Sequence, residues 1–118
     1  MAQFQTLTPN VRYWSRFSEE KQIDFNGTWI RSDGEAVLVD PVPRTDEQLA
    51  EVRSDVAPSA IILTNKDHRR AAVELRTALG GVPIWIHEAD RELLGCSVER
   101  TFVDGDVLPA GLVAIHLP

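Results

Sequence analysis

The chain has 118 residues, 43% hydrophobic and 25% charged, enough to close one domain that buries roughly 65% of its extended surface. A net charge of −6 leaves no basic face for nucleic acid or an anionic membrane; the clusters Arg12/Arg16, Lys66/Arg69/Arg70 and Arg91/Arg100 are diluted by acids and read as solvated surface. A single cysteine, Cys96, excludes an internal disulfide and fits a reducing compartment. No apolar run approaches ~18 residues, and Met1-Ala2-Gln3-Phe4-Gln5 has no basic stretch followed by an apolar one, so a soluble, cytoplasmic protein is expected.

Residues 1–10 are polar and suit a loose or edge segment. Val11 to Phe17, rich in aromatics, reads as an outer strand, with Ser18 to Gln22 as a solvated turn. Ile23 to Arg31 and Glu35 to Val39 form a hairpin through Ser32-Asp33-Gly34, whose Asp-Gly pair supplies left-handed turn residues. Thr45-Asp46-Glu47-Gln48 fits a capping box, with Leu49, Val52 and Val56 as the buried stripe of the helix that follows. Ala60-Ile61-Ile62-Leu63, an apolar run opened by Pro58, has the character of a strand buried on both faces. After the polar stretch Thr64-Asn65-Lys66-Asp67, Ala72, Val73, Leu75, Ala78 and Leu79 recur at helical spacing until Gly80-Gly81 stops them. Val82 to Ile86 forms another buried strand, and His87 to Gly95 reads as a helix ended by glycine. Thr101-Phe102-Val103 and Val107-Leu108 form a hairpin through Asp104-Gly105-Asp106, and Leu112 to Leu117 is a last strand. These elements predict an α/β protein with a mixed β-sheet, antiparallel at its start and end, parallel strand-helix-strand in the middle, and helices mainly on one face.

A strand feeding a helix through a short turn places that turn at the strand's carboxyl end, where α/β proteins usually set their chemistry. Asp67 and His68 occupy it. Directly after a buried strand, Asp67-His68 resembles the end of the His-x-His-x-Asp-His signature of the metallo-β-lactamase fold. Asn26-Gly27-Thr28-Trp29-Ile30 and Glu35-Ala36-Val37-Leu38-Val39-Asp40-Pro41 resemble the same family's opening: an Asn-containing strand, a glycine turn and a strand closed by aspartate. The resemblance implies that residues 1–118 form a single partial domain, the N-terminal half of an αββα sandwich.

The resemblance also implies that the signature's two leading histidines fall on Leu63 and Asn65. Leucine has no lone pair to donate, and asparagine is a weak neutral ligand. Asp67 and His68 remain as the candidate metal residues, belonging in relatives to the second of two metal positions. A catalytic zinc takes about three protein ligands and an open position for water. No cofactor is therefore expected, and zinc is possible if the site is completed in trans. The residues alone suit Asp67 as a cap of the following helix, with His68 in its first turn. Asp40 suits a side chain holding backbone amides at a strand end. His87 suits an N-cap or a surface histidine, His116 a sheet histidine or an edge residue, and Cys96 a small packed residue beside Leu94, with no histidine close in sequence to activate it.

The expected function is that of a divergent, inactive metallo-β-lactamase-fold protein, a pseudo-hydrolase kept as a binding or scaffold module. The alternative is a metal-dependent hydrolase of ester, thioester or lactam-like bonds, completed by a missing C-terminal half or a second subunit. A sheet face carrying Trp29, Leu38, Ile62 and Trp85, left uncovered in a half-domain, implies self-association as a two-fold dimer.

Overall fold

A computed structural model describes residues 5–8, 10–18, 23–32 and 34–114. Among the described residues seven strands lie in one sheet in chain order: β1 (Gln5–Thr8), β2 (Val11–Ser18), β3 (Ile23–Ser32), β4 (Glu35–Val39), β5 (Ala60–Leu63), β6 (Ile84–His87) and β7 (Arg100–Phe102). Pairing is antiparallel from β1 to β4 and parallel from β4 to β7. The mixed sheet expected from the sequence is present. The Val11 strand is not outermost, because Gln5–Thr8 pairs along its free side. Of the turn expected from Ser18 to Gln22, Ser18 ends β2 and residues 19–22 lie outside the described residues, as does Asp33; its neighbour Gly34 takes the left-handed φ of 78° that the hairpin requires.

Strand register decides which side chains share a face, since neighbours directly across a ladder point the same way. Trp29, Leu38, Ile61 and Ile84 are mutual partners across β3 to β6 and lie on one face, in a cluster with Trp14, Val52 and Leu75. Val39, Ile62 and Trp85 are partners one residue along and face the other way, with Val37, Phe102 and Leu108. The single exposed face of Trp29, Leu38, Ile62 and Trp85 expected from the sequence therefore does not exist. Parity divides the four residues between two faces, and Trp29, Leu38 and Ile62 are buried.

Both α-helices cover the Trp29 face. Helix α1 (Asp46–Ser54) starts with the expected capping box: the Gln48 N–H donates to Thr45 Oγ1 at 3.1 Å, and the Thr45 N–H donates to Gln48 Oε1 at 2.8 Å. It buries Val52, with Leu49 and Val56 packed beside it, and α2 (Ala72–Ala78) buries Ala72 and Leu75. Trp14, opposite Gly27 in the β2–β3 ladder, fills the space a side chain there would need. A Cβ on Gly27 would sit 2.7 Å from the Trp14 ring. The Trp14 indole N–H donates to the carbonyls of Val42 and Pro43 at 3.2 and 3.3 Å, and that of Trp29 donates to Val56 at 3.2 Å.

The opposite face is covered by irregular chain from Val103 to Ala114, which places Leu108, Ala110 and Ala114 on it. Ala110 adopts a left-handed φ of 64°, and its N–H donates to Glu35 Oε1 at 3.0 Å. Two sequence expectations fail here. Thr101-Phe102-Val103 does not pair with Val107-Leu108: β7 runs parallel to β6, Asp106 folds its carboxylate back onto the Val103 N–H at 2.9 Å, and Val107 bridges to Val113 instead. The helix expected from His87 to Gly95 is only a 3₁₀ turn, Glu88–Asp90, followed by further turns. Leu94 is buried while the adjacent Leu93 points to solvent, so the segment has no continuous apolar stripe to hold a helix against the core. Of the last expected strand, Val113 makes the one bridge and residues 115–118 lie outside the described residues.

Candidate functional site

The carboxyl ends of β4 and β5 lie side by side in parallel, so the residue after each strand emerges at the same edge. These residues are Asp40 and Thr64. One Asp40 carboxylate oxygen accepts the Thr64 backbone N–H at 2.8 Å, and the other accepts the Thr64 hydroxyl at 2.5 Å. Asp40 thus holds a backbone amide at a strand end, as expected. It also holds His68, whose Nδ1 is 2.9 Å from Asp40 Oδ2 and 2.9 Å from Thr64 Oγ1.

The protonation pattern follows from these partners. An ionised carboxylate only accepts, and the Thr64 hydroxyl already donates its hydrogen bond to Asp40, so Nδ1 carries the ring hydrogen and shares it between two oxygens. Nε2 is left with the lone pair. The polar atom facing it is Asn65 Nδ2, at 3.4 Å, and the amide is oriented by its other end, where Asn65 Oδ1 accepts the Asp67 N–H at 2.8 Å. Asn65 is therefore the cap of the 3₁₀ turn Lys66–His68. Asp67 does not cap the following helix: the N-cap of α2 is Ala71, with no side-chain hydrogen bond.

Two non-glycine residues at this edge, Asp40 (φ 48°) and Arg70 (φ 39°), adopt the sparsely populated left-handed region. They are coupled. Arg70 donates to the Asp40 carbonyl at 3.1 Å and to the Asn26 carbonyl at 3.2 Å, and the Ala71 N–H donates to the Pro41 carbonyl at 3.2 Å. Sequence reasoning placed Arg70 among solvated charges; here it ties the loop to β3 and β4. Arg12 is likewise structural, stacked 4.5 Å from the Trp29 ring and 3.0 Å from Asp55. No local pattern marks either role, because both contacts join residues far apart in sequence. Thr64 was also missed, and its one signal is position: it is the first polar residue after the buried run.

The other sequence candidates lie elsewhere. Nδ1 of His87 accepts the Ala89 N–H at 3.0 Å, the capping role expected of it, and Nε2 is 3.8 Å from Asp104. His116 lies outside the described residues. Cys96 packs beside the core at an open depression of about 410 Å³, lined by Arg91, Glu92, Gly95, Ser97 and Val98, with no histidine among them.

The chain matches the metallo-beta-lactamase superfamily over residues 5–118. It belongs to that superfamily. Its fold is similar to the DIM-1 metallo-β-lactamase (TM-score 0.71, 17% identity, 92% of this chain and 55% of that one). It is also similar to a metallo-β-lactamase from Hirschia baltica (0.65, 15%, 90% and 54%) and to FIM-1 from Pseudomonas aeruginosa, solved in a mono-zinc form (0.63, 13%, 88% and 51%). The chain spans about half the length of these structures. No curated protein matches its sequence.

A zinc ion implied by the superfamily meets the following donors. Leu63, where the resemblance places the first histidine, is fully buried and has no lone pair. Asn65, at the second, has its oxygen engaged by the Asp67 N–H and turns its N–H₂ toward the His68 lone pair. Among the described residues no three His, Cys, Asp or Glu side chains form a group able to hold a metal. This donor set does not fit a catalytic zinc. Nor does Thr64-His68-Asp40 form a nucleophilic relay, which requires hydroxyl and carboxylate on opposite ring nitrogens; here both meet Nδ1.

Proposed function

We propose that this chain is a catalytically silent metallo-β-lactamase-fold half, a binding or scaffold module in which the metal-binding loop has become a hydrogen-bonded strut. The observation that carries this reading is the Asn65 amide directed at Nε2 of His68, the nitrogen a metal would use. Metal analysis of protein purified at neutral pH tests it. The expected result is less than about 0.1 zinc per chain, unchanged by Asp67→Ala or His68→Ala. One zinc per chain, lost on either substitution, overturns the reading.

A second reading is supported by the same histidine. Its Nδ1–H on the Asp40 carboxylate orients the ring as in histidines that bind metal through Nε2. A metal-dependent hydrolase of ester, thioester or lactam-like bonds would then need further donors from polypeptide beyond these residues or from a second subunit. That reading predicts tight zinc uptake only after the missing donors are supplied.

For partners we propose self-association. Val103, Val107 and Val113 are 44%, 72% and 60% exposed on the segment that covers the second sheet face, and Val107 and Val113 are bridge partners. Joining two such valine sets in a two-fold dimer would remove them from water. Light scattering at micromolar concentration should give twice the chain mass, and a monomer refutes the dimer. No helix among the described residues is long and apolar enough to cross a membrane; the single free cysteine supports a reducing compartment such as the cytoplasm.

A further inference from the structure

Most partly buried arginines of this protein end on protein oxygens: Arg12 and Arg31 on Asp55, Arg70 on two carbonyls, Arg76 on Ser97 and Glu99. Arg44 is different. It lies in the loop between β4 and α1, it is partly buried, and its Nε is shielded from solvent without a hydrogen-bond acceptor. Among the described residues no carboxylate pairs with it, and no cation pairs with Glu74 on α2. Yet Arg44 and Glu74 line the same cavity, about 270 Å³, whose remaining walls are Pro43, Ala71 and Leu75.

The Arg44 Nε is covered by protein, so a ligand in the cavity would meet the terminal guanidinium nitrogens, which likewise have no acceptor among the described residues. The planar fork of arginine matches a carboxylate better than a point charge does. A multiply charged anion such as phosphate would meet the Glu74 carboxylate on the same cavity wall, and a purely cationic ligand would meet Arg44. The ligand that satisfies both carries one charge of each sign, and a cavity of this size limits it to a few carbons between them. We propose that this cavity binds a small zwitterion, its carboxylate on Arg44 and its ammonium on Glu74, with the hydrocarbon against Ala71 and Leu75. The site is separate from the Asp40-Thr64-His68 cluster and stands whether or not that cluster binds metal.

The test is an NMR titration of the protein with glycine, β-alanine and 4-aminobutanoate, following the amide signals of Ala71 and Leu75, with acetate and methylammonium as single-charge controls. At least one zwitterion should saturate, with a dissociation constant on the order of 1 mM as befits so few atoms. Arg44→Gln and Glu74→Gln should each weaken it about tenfold or more. Neither side chain has a hydrogen-bond or ion-pair partner among the described residues, so thermal midpoints should stay unchanged. Three results each overturn the proposal. One is that none of the three zwitterions saturates. Another is that acetate binds as tightly as the best of them. The third is that either substitution lowers the thermal midpoint in a salt-dependent way, which would show that Arg44 and Glu74 close on each other.

Discussion

The two faces of the sheet are made from the same strands by simple alternation, yet they are finished differently. On the Trp29 face, two helices cover Leu38, Ile61 and Ile84, and both indole N–H groups, of Trp14 and Trp29, reach carbonyls. On the Trp85 face, one irregular segment does the covering, Trp85 Nε1 is buried without an acceptor, and three valines of that segment stand in solvent. Alternation therefore decides which residues face which way, and the covering element decides whether their polar atoms are satisfied. The helical layer satisfies both indoles because it brings backbone carbonyls from helix ends and loops down to the sheet. The Val103–Ala114 segment uses many of its own backbone groups internally, as in Gly105 to Ala114 and Leu108 to Leu112, and has none for Trp85.

Three measurements probe this contrast. Trp29→Ala should have the largest effect, about 3–5 kcal/mol in chemical denaturation, because it empties a filled site and removes the stacking surface of Arg12 and Arg31. A loss below about 1 kcal/mol would mean the helical face is not the better packed one. Trp85→Phe should fall within about 1 kcal/mol of zero, since the lost indole area is offset by removal of an unsatisfied N–H. A loss as large as that of Trp29→Ala would erase the distinction between the faces.

The smallest effect concerns the edge of the helical face, where Glu99 accepts the Ile84 N–H at 2.9 Å and pairs with Arg76 of α2 at 2.9 Å. Burial pulls the Glu99 carboxyl upward, but the Ile84 hydrogen bond and the Arg76 charge outweigh it and hold the group below its ordinary 4.5. A depressed carboxyl contributes stability above its unfolded value and loses it as pH falls through the folded one. Glu99→Gln should therefore flatten the decline of stability below pH 4.5; with the side chain 44% exposed, solvent screening keeps the change small. An unaltered acid limb would show that the pair contributes nothing.

Much of the fold was legible because the decisive signals are local. The Ala60–Leu63 run, the Thr45-to-Gln48 capping box, the Gly34 turn and the Ala72-to-Leu79 spacing each specify their element without help from distant residues. The chain after His87 was misread for the opposite reason. Adjacent leucines at 93 and 94 mimic a helical stripe, and Asp104-Gly105-Asp106 mimics a hairpin turn whose strands then find other partners. At the candidate site the sequence supplied Asp67 and His68 as the candidate metal residues, Asn65 as a lost ligand position and Asp40 as a holder of backbone amides at a strand end. It could not supply their mutual contacts, the tautomer those contacts impose, or Arg70, whose hydrogen bonds span 30 and 44 positions.

The spatial order of the strands repeats their order along the chain without a single exchange. Each strand joins an edge that its predecessor has already made, so no segment has to wait for one synthesised much later. Such a sheet can be laid down from one end during translation, the antiparallel ribbons first and the slower parallel half added to a finished border. During growth one open edge is always β1, four residues long, and the other is the newest strand, so the risk of wrong pairing falls on two short stretches at a time.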